Sequence, residues 1–214
     1  MHSSKKIIVE TMKKLYSNKF ISVRDGNISF KPKNEKYFYI SAGSVRKNEL
    51  NEDQVIKVNF EKKGVLYKNE YDHNLNYDKS YKYLPSREIY MHSFLQTHVS
   101  NMNKDTYIVH AHPPNITSFI GIKKSNELNS IKEYFPEINV GIIGNNVKYH
   151  EAGTKDLAED CFRKLINNEI VGLERHGTLS IGDNIDKIIE DIETLEYYIK
   201  IYMNCQLIPL SFKN

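Results

Sequence analysis

Apolar positions recur along the chain with two different periods, which predict helices interleaved with strands. Helical spacing marks five segments: residues 4–18, 85–99, 115–121, a stretch that follows Thr154, and 184–203. Alternating or continuous apolar runs mark seven strands: 25–30, 37–41, 54–60, 106–110, 138–143, 169–173 and 178–181. Residues 64–83 are polar and rich in tyrosine, and we expect a strand and a long loop there.

This order of elements predicts the fold class. Helices and strands interleave, yet tight hairpins are also expected near both ends of the chain. We therefore expect an α/β fold in a single domain, residues 1–214, with a central, mostly antiparallel or mixed β-sheet flanked by helices on both sides.

Composition narrows the possible partners and the compartment. The net charge of +3 is too small to argue for nucleic acid. No run approaches the ~18 apolar residues that a membrane span needs, and the polar N-terminus does not indicate a signal peptide. Cys161 and Cys205 lie far apart, outside any CxxC spacing. A reducing cytoplasm is therefore expected.

Three histidines are candidate metal ligands. His110 and His112 are two apart at the end of a predicted strand, so both imidazoles should point to the same side. His176 lies in a predicted turn between two short apolar runs. Neutral imidazole is a common zinc ligand. Taken one at a time, each motif also fits an ordinary surface, turn or core histidine.

Glu88 is a fourth candidate, predicted to lie in the first turn of the helix that begins at Pro85. It is either a helix-favouring acid or a metal ligand and base beside the metal. Three protein ligands with one open position are typical of a catalytic zinc site. His92, four residues further on, is expected to be a supporting or core histidine.

Small polar residues at strand ends suggest an anion pocket near these histidines. The segments D-G-N-I-S and S-A-G-S, with Ser86 and Arg87, offer backbone and side-chain donors to a phosphate. The alternative is that each segment is an ordinary turn.

In this order the motifs resemble the class II aldolase/adducin family over roughly residues 5–203. They are G-N-x-S (26–29), an I-S-x-x-G-like segment (40–44), P-S-x-E (85–88), V-H-x-H (109–112), G-T (153–154) and R-H-G (175–177). The resemblance implies the same single α/β domain. It also implies a four-fold homotetramer with active sites near the subunit interfaces.

The resemblance also implies roles for individual residues. One Zn²⁺ per subunit would be bound by His110, His112 and His176, and Glu88 would be both ligand and proton-transfer group. Tyr134 matches the tyrosine that protonates the aldehyde oxygen, with Tyr149 as a rival. The substrate phosphate would be held by five residues: Gly26, Asn27, Ser44, Ser86 and Arg87.

The implied activity is zinc-dependent cleavage of a ketose 1-phosphate, such as fuculose 1-phosphate, to dihydroxyacetone phosphate and an aldehyde. Ribulose-5-phosphate 4-epimerase remains an alternative, because it shares retro-aldol chemistry. So does a methylthioribulose-1-phosphate dehydratase, for which Glu137 or Glu151 are candidate acid–base groups. A non-catalytic scaffold like the adducin head is disfavoured, because a scaffold has no need of the histidines.

Overall fold

The computed structural model describes residues 3–59, 82–121 and 126–207, and they form one α/β domain with six strands and six helices. The strands are β1 (Asn27–Lys31), β2 (Tyr37–Ser41), β3 (Val55–Asn59), β4 (Thr106–Ala111), β5 (Ile170–Leu173) and β6 (Gly177–Gly182). The helices are α1 (Ser4–Ser17), α2 (Ile89–His98), α3 (Pro114–Ile120), α4 (Ile131–Tyr134), α5 (Lys155–Leu165) and α6 (Ile185–Gln206). Most of the predicted strand and loop at 64–83 lies outside the described residues.

The six strands form one sheet in the order β3-β2-β1-β4-β6-β5, and all neighbouring pairs are antiparallel. Strand β4 lies at the centre, paired with β1 on one side and β6 on the other. Helix α1 packs along β1 and β2, and α2 packs against α5 and β4. The predicted fold class is confirmed, and the ends of β4 and β6 meet at one edge.

Helix ends follow the side chains that the sequence provides for them. Ser3 caps α1, Thr154 caps α5 and Asn184 caps α6, each by accepting a hydrogen bond from a backbone N–H in the first turn. Pro114 opens α3, where a missing N–H costs nothing. Among the described helices, none is long and apolar enough to cross a membrane.

Two sequence predictions about elements are wrong. Residues 138–143 form no strand. Instead, the Ile142 N–H is bonded to the Glu169 carboxylate, and only an isolated parallel bridge joins Ile143 to Ile170. The Glu169 side chain thus occupies the Ile142 N–H, which a continuous strand would use to pair with its neighbour. The second helix begins at Ile89 rather than at Pro85, because Ser86 to Glu88 form a turn closed by the Ile89 N–H on the Ser86 carbonyl.

Candidate metal centre

His110 and His112 lie at the end of β4, a central strand of the sheet. His110 occupies β4, and His112 follows it with its backbone N–H bonded to the Phe20 carbonyl at 2.8 Å. Because the two residues are two apart in extended chain, their rings share one side. Their Nε2 atoms are 2.8 Å apart.

His176 reaches the same point from the turn between β5 and β6. Arg175 has a φ of +59°, which reverses the chain, and the His176 N–H then donates to the Leu173 carbonyl. Gly177 allows the turn to lie directly on β4, since a Cβ there would be 2.2 Å from the Ala111 carbonyl oxygen. The His176 ring centroid is consequently 4.6 Å from that of His110.

These three residues, His110, His112 and His176, are called the histidine cluster below. One ligand nitrogen from each lies within 4.8 Å of the others, so the cluster could hold a metal ion. The Nδ1–H of His110 donates to the Thr178 carbonyl at 2.8 Å, which leaves the Nε2 lone pair facing the other rings.

Burial favours the neutral, metal-binding form of His110 and His112. It lowers the pKa of His110 well below the ordinary value, and the charges of His112 and His176 lower it further. The pKa of His112 is also lowered, mainly by burial and then by His176. Since an imidazole binds a metal only when neutral, these shifts favour ligand binding.

Glu88 lies beside the cluster, only 5% exposed. Its Oε2 is 3.2 Å from His110 Nε2, and its Oε1 is 3.5 Å from His176 Nε2. The Oε1 atom is buried and has no hydrogen-bond partner among the described residues. A buried carboxylate oxygen without a partner is costly, so a cation between it and the three nitrogens would satisfy it. The donor set fits a divalent ion of the zinc type.

Asn27 and His92 support Glu88: Asn27 contacts its carboxylate, and His92 contacts Asn27. Asn27 Nδ2 donates to Glu88 Oε2 at 2.8 Å, while its Oδ1 meets His92 Nε2. His92 is fully buried, and burial lowers its pKa to about 4, with the nearby Glu88 opposing this. The sequence suggested a supporting or core histidine here, but not a bond to Asn27. The available sequence signal was the spacing of Glu88, His92 and Gln96, three polar residues that lie four apart and so share one helix face.

Asp25 is a further polar group near the cluster. Its Oδ2 lies 4.0 Å from His112 Nδ1, on the side of that ring away from His110. The sequence pattern did not indicate this contact, because it depends on the turn at Gly26. Gly26 has a φ of +69°, and a Cβ there would meet Ile21 at 2.4 Å.

Four of the candidate phosphate residues lie on adjoining segments near Glu88. The Gly43 N–H donates to the Leu84 carbonyl at 3.0 Å, which joins the segment of Ser44 to that of Ser86 and Arg87. The backbone carbonyl of Ser44 accepts from Arg24 Nη1, and this ties it to the turn that holds Gly26. Ser44 and Arg87 are exposed, and Ser86 is buried.

Tyr134 does not join this group within the described part of the chain. It ends α4, is 53% exposed, and its ring packs 4.5 Å from that of Tyr202. The rival Tyr149 is 56% exposed and packs against Arg175. Glu137 and Glu151 are exposed as well. Among the described residues, no hydrogen bond, ion pair or ring contact joins any of these four side chains to the histidine cluster.

Some known proteins resemble this chain in sequence, and others resemble it in fold. It is 28% identical over 189 residues to an L-fuculose phosphate aldolase of Methanococcus vannielii, a match that covers 87% of this chain and 88% of the relative. An L-fuculose phosphate aldolase of Methanocaldococcus jannaschii is 27% identical over 200 residues, covering 92% and 94%. The crystal structure of a sugar-phosphate aldolase from Thermotoga maritima superposes with a TM-score of 0.72 at 20% identity, covering 99% and 96%.

The family model for the class II aldolase and adducin N-terminal domain matches residues 6–203. That range includes every residue of the histidine cluster and Glu88. The expected assignment to a metal-dependent lyase of the class II aldolase type is confirmed at this level. The chain belongs to the class II aldolase and adducin family.

Proposed function

We propose that this chain is a zinc-dependent cytoplasmic aldolase that cleaves a ketose 1-phosphate to dihydroxyacetone phosphate and an aldehyde. One observation carries the proposal: three imidazoles converge, and beside them a buried oxygen of Glu88 that has no hydrogen-bond partner among the described residues lies 3.5 Å from His176 Nε2. The two curated relatives, both called L-fuculose phosphate aldolases, make fuculose 1-phosphate the first substrate to test.

His110, His112 and His176 would hold the ion, with Glu88 as a fourth ligand that substrate can displace. A zinc ion bound there would act as a Lewis acid toward the substrate's carbonyl oxygen and stabilise the negative charge that C–C cleavage creates. The residues around it would exclude water from that charge, since His110 and Glu88 are almost completely buried.

Glu88 is proposed to move the proton at the carbon that becomes nucleophilic in the synthetic direction. It would take the proton from that carbon of dihydroxyacetone phosphate, and the new C–C bond would form with the electron pair left behind. A tyrosine hydroxyl would then give its proton to the aldehyde oxygen. The unpaired Oε1 is the atom of Glu88 that is free to receive a proton.

Gly26, Asn27, Ser44, Ser86 and Arg87 are proposed to hold the phosphate. Arg87 supplies a full positive charge with two parallel donors, and Ser44 and Ser86 supply hydroxyl donors. One amide N–H of Asn27 is taken by Glu88, so its second N–H is the one left for the phosphate. A grip far from the reacting carbons fixes the substrate's orientation and lowers the entropic part of the barrier.

Tyr134 is proposed to be the proton donor, acting in a neighbouring subunit of a homotetramer. Tyr134 is exposed and, within the described residues, makes no hydrogen bond or ring contact with the histidine cluster of its own chain, which supports this arrangement. Ile142, 59% exposed on the segment that follows α4, adds apolar surface that a subunit contact would cover. Light scattering on the purified protein would give the subunit number.

The test is a panel of ketose phosphates with a coupled aldehyde assay, run with and without chelator. We expect fuculose 1-phosphate or a related ketose 1-phosphate to be cleaved, and a chelator to abolish the reaction. His98→Ala is the matched control for the histidine variants, because His98 is exposed at the end of α2. Epimerisation of ribulose 5-phosphate without cleavage, or a stable metal-free protein, would refute the aldolase.

A further inference from the structure

A row of buried polar side chains runs between β1 and α2 behind Glu88. Asn27 and Ser29 project from the strand, and His92 and Gln96 project from the helix, with exposed fractions of 5%, 0%, 0% and 1%. Burying this many polar groups is unfavourable unless their hydrogen bonds are made. The row therefore needs a reason beyond filling the core.

The two elements have matching spacings. Strand side chains two apart are separated by about 7 Å, and helix side chains four apart by about 6 Å. Asn27 therefore faces Glu88 and His92, while Ser29 faces His92 and Gln96. The polar rows on β1 and α2 interlock.

The chemistry of the groups sets the direction of every hydrogen bond. The row starts at the Thr106 carbonyl, which can only accept, so the Gln96 amide must turn its NH₂ toward it, at 3.3 Å. The other Gln96 N–H donates to Ser29 Oγ at 3.0 Å. The hydroxyl hydrogen of Ser29 is then free to donate to His92 Nδ1 at 2.7 Å.

The tautomer of His92 sets the orientation of the Asn27 amide. With Nδ1 accepting, the neutral ring carries its proton on Nε2, and that N–H donates to Asn27 Oδ1. The amide oxygen is thereby held away from Glu88, and Nδ2 donates to Glu88 Oε2 at 2.8 Å. From the Gln96–Ser29 bond onward, each donor in the row points toward the carboxylate.

We propose that His92 is a positioning residue: its Nε2–H locks the Asn27 amide with the N–H toward Glu88 and so fixes the carboxylate beside the histidine cluster. This inference rests on the proposed function for its catalytic consequence. Without His92 the amide could rotate and turn its oxygen toward the carboxylate. Glu88 would then lose a donor and face a repulsive acceptor.

Two substitutions separate this role from packing. A glutamine side chain can put an amide N–H where Nε2 stands, while the shorter asparagine can reach only the Ser29 side. We expect His92→Gln to keep kcat within about 3-fold of the original protein. We expect His92→Asn to lower kcat by about 10- to 100-fold, with KM nearly unchanged, which is the usual effect of losing a group that orients a metal ligand.

A second readout does not depend on turnover. The visible absorption spectrum of protein loaded with Co²⁺ alone reports the geometry of the ligands. We expect His92→Asn to shift those bands and His92→Gln to leave them in place. Cys161→Ala is the packing control, since the Cys161 thiol contacts Met91 of α2 from α5 and, among the described residues, has no hydrogen bond to the polar row. It should lower thermal stability and leave both readouts unchanged.

Ser29→Ala provides an independent check if His92→Asn does not fold. Losing the Ser29 hydroxyl frees the imidazole to take the other tautomer, so kcat should fall several-fold. In the His92→Gln background, Ser29→Ala should lower kcat no further, because glutamine has no tautomers for Ser29 to select.

The possible outcomes distinguish this inference from the proposed function. If no sugar phosphate is cleaved but the Co²⁺ spectra separate as described, the proposed function fails and the positioning role stands. If the original protein is active and His92→Gln and His92→Asn behave alike in kcat and spectrum, the inference is wrong. Equal additive losses from Ser29→Ala in both backgrounds would also overturn it.

Discussion

Replacing His92 with glutamine should make the protein less sensitive to mild acid. The imidazole is fully buried between Asn27 and Ser29, and burial lowers its pKa from the ordinary 6.5 to about 4. Glutamine fills a similar space and preserves the hydrogen bond to Asn27, but it cannot take up a proton. The substitution therefore removes one titration and leaves the surrounding contacts in place.

The lowered pKa fixes both the sign and the size of the effect. Between pH 4 and pH 6.5 the unfolded chain holds a proton on this histidine that the folded chain does not. The free energy of unfolding is therefore intact above pH 6.5 and decreases as the pH falls through that window. For a shift from 6.5 to about 4, the loss between pH 7 and pH 5 is about 2 kcal/mol.

Urea denaturation of chelator-treated protein at a series of pH values measures this quantity. His110 and His112 also have lowered pKa values, but they are present in both proteins and their contributions cancel in the comparison. We expect the original protein to lose about 2 kcal/mol more than His92→Gln between pH 7 and pH 5. If the free energy of unfolding depended on pH in the same way in both proteins, His92 would not be buried in its neutral form.

Three further changes test the site from other directions. Glu88→Gln should retain metal but lower kcat by about 10²-fold or more; normal turnover would exclude its role in proton transfer. His112→Ala should lose the metal, measured by elemental analysis, while its circular dichroism remains that of a folded protein. Gly177→Ala should lower the free energy of unfolding by about 2 kcal/mol, because the new Cβ would lie 2.2 Å from the Ala111 carbonyl oxygen. Gly182→Ala, whose Cβ would meet only side-chain atoms at 3.3 Å, should change stability far less.

Local rules of sequence explain why much of the fold was predictable. The strand containing His110 follows from an unbroken apolar run, and strand alternation is enough to place His110 and His112 on one side. Capping residues such as Ser3, Thr154 and Asn184 define helix starts because each has a side-chain oxygen placed to accept a backbone N–H.

What the sequence did not predict depends on contacts between distant segments. Residues 138–143 have the composition of a strand, but Glu169, almost thirty positions later, takes the Ile142 N–H. The pairing of Asn27 with His92 likewise depends on α2 lying across β1. Neither contact has a local signature, because each depends on which element the fold places alongside.

Anomalous diffraction at the zinc edge, from crystals grown with zinc, tests the central claim most directly. We expect one strong peak about 2.0–2.1 Å from a ring nitrogen of each of His110, His112 and His176, with a Glu88 oxygen nearby. A peak elsewhere in the molecule, or none between three correctly placed rings, would contradict the metal centre and the chemistry built on it.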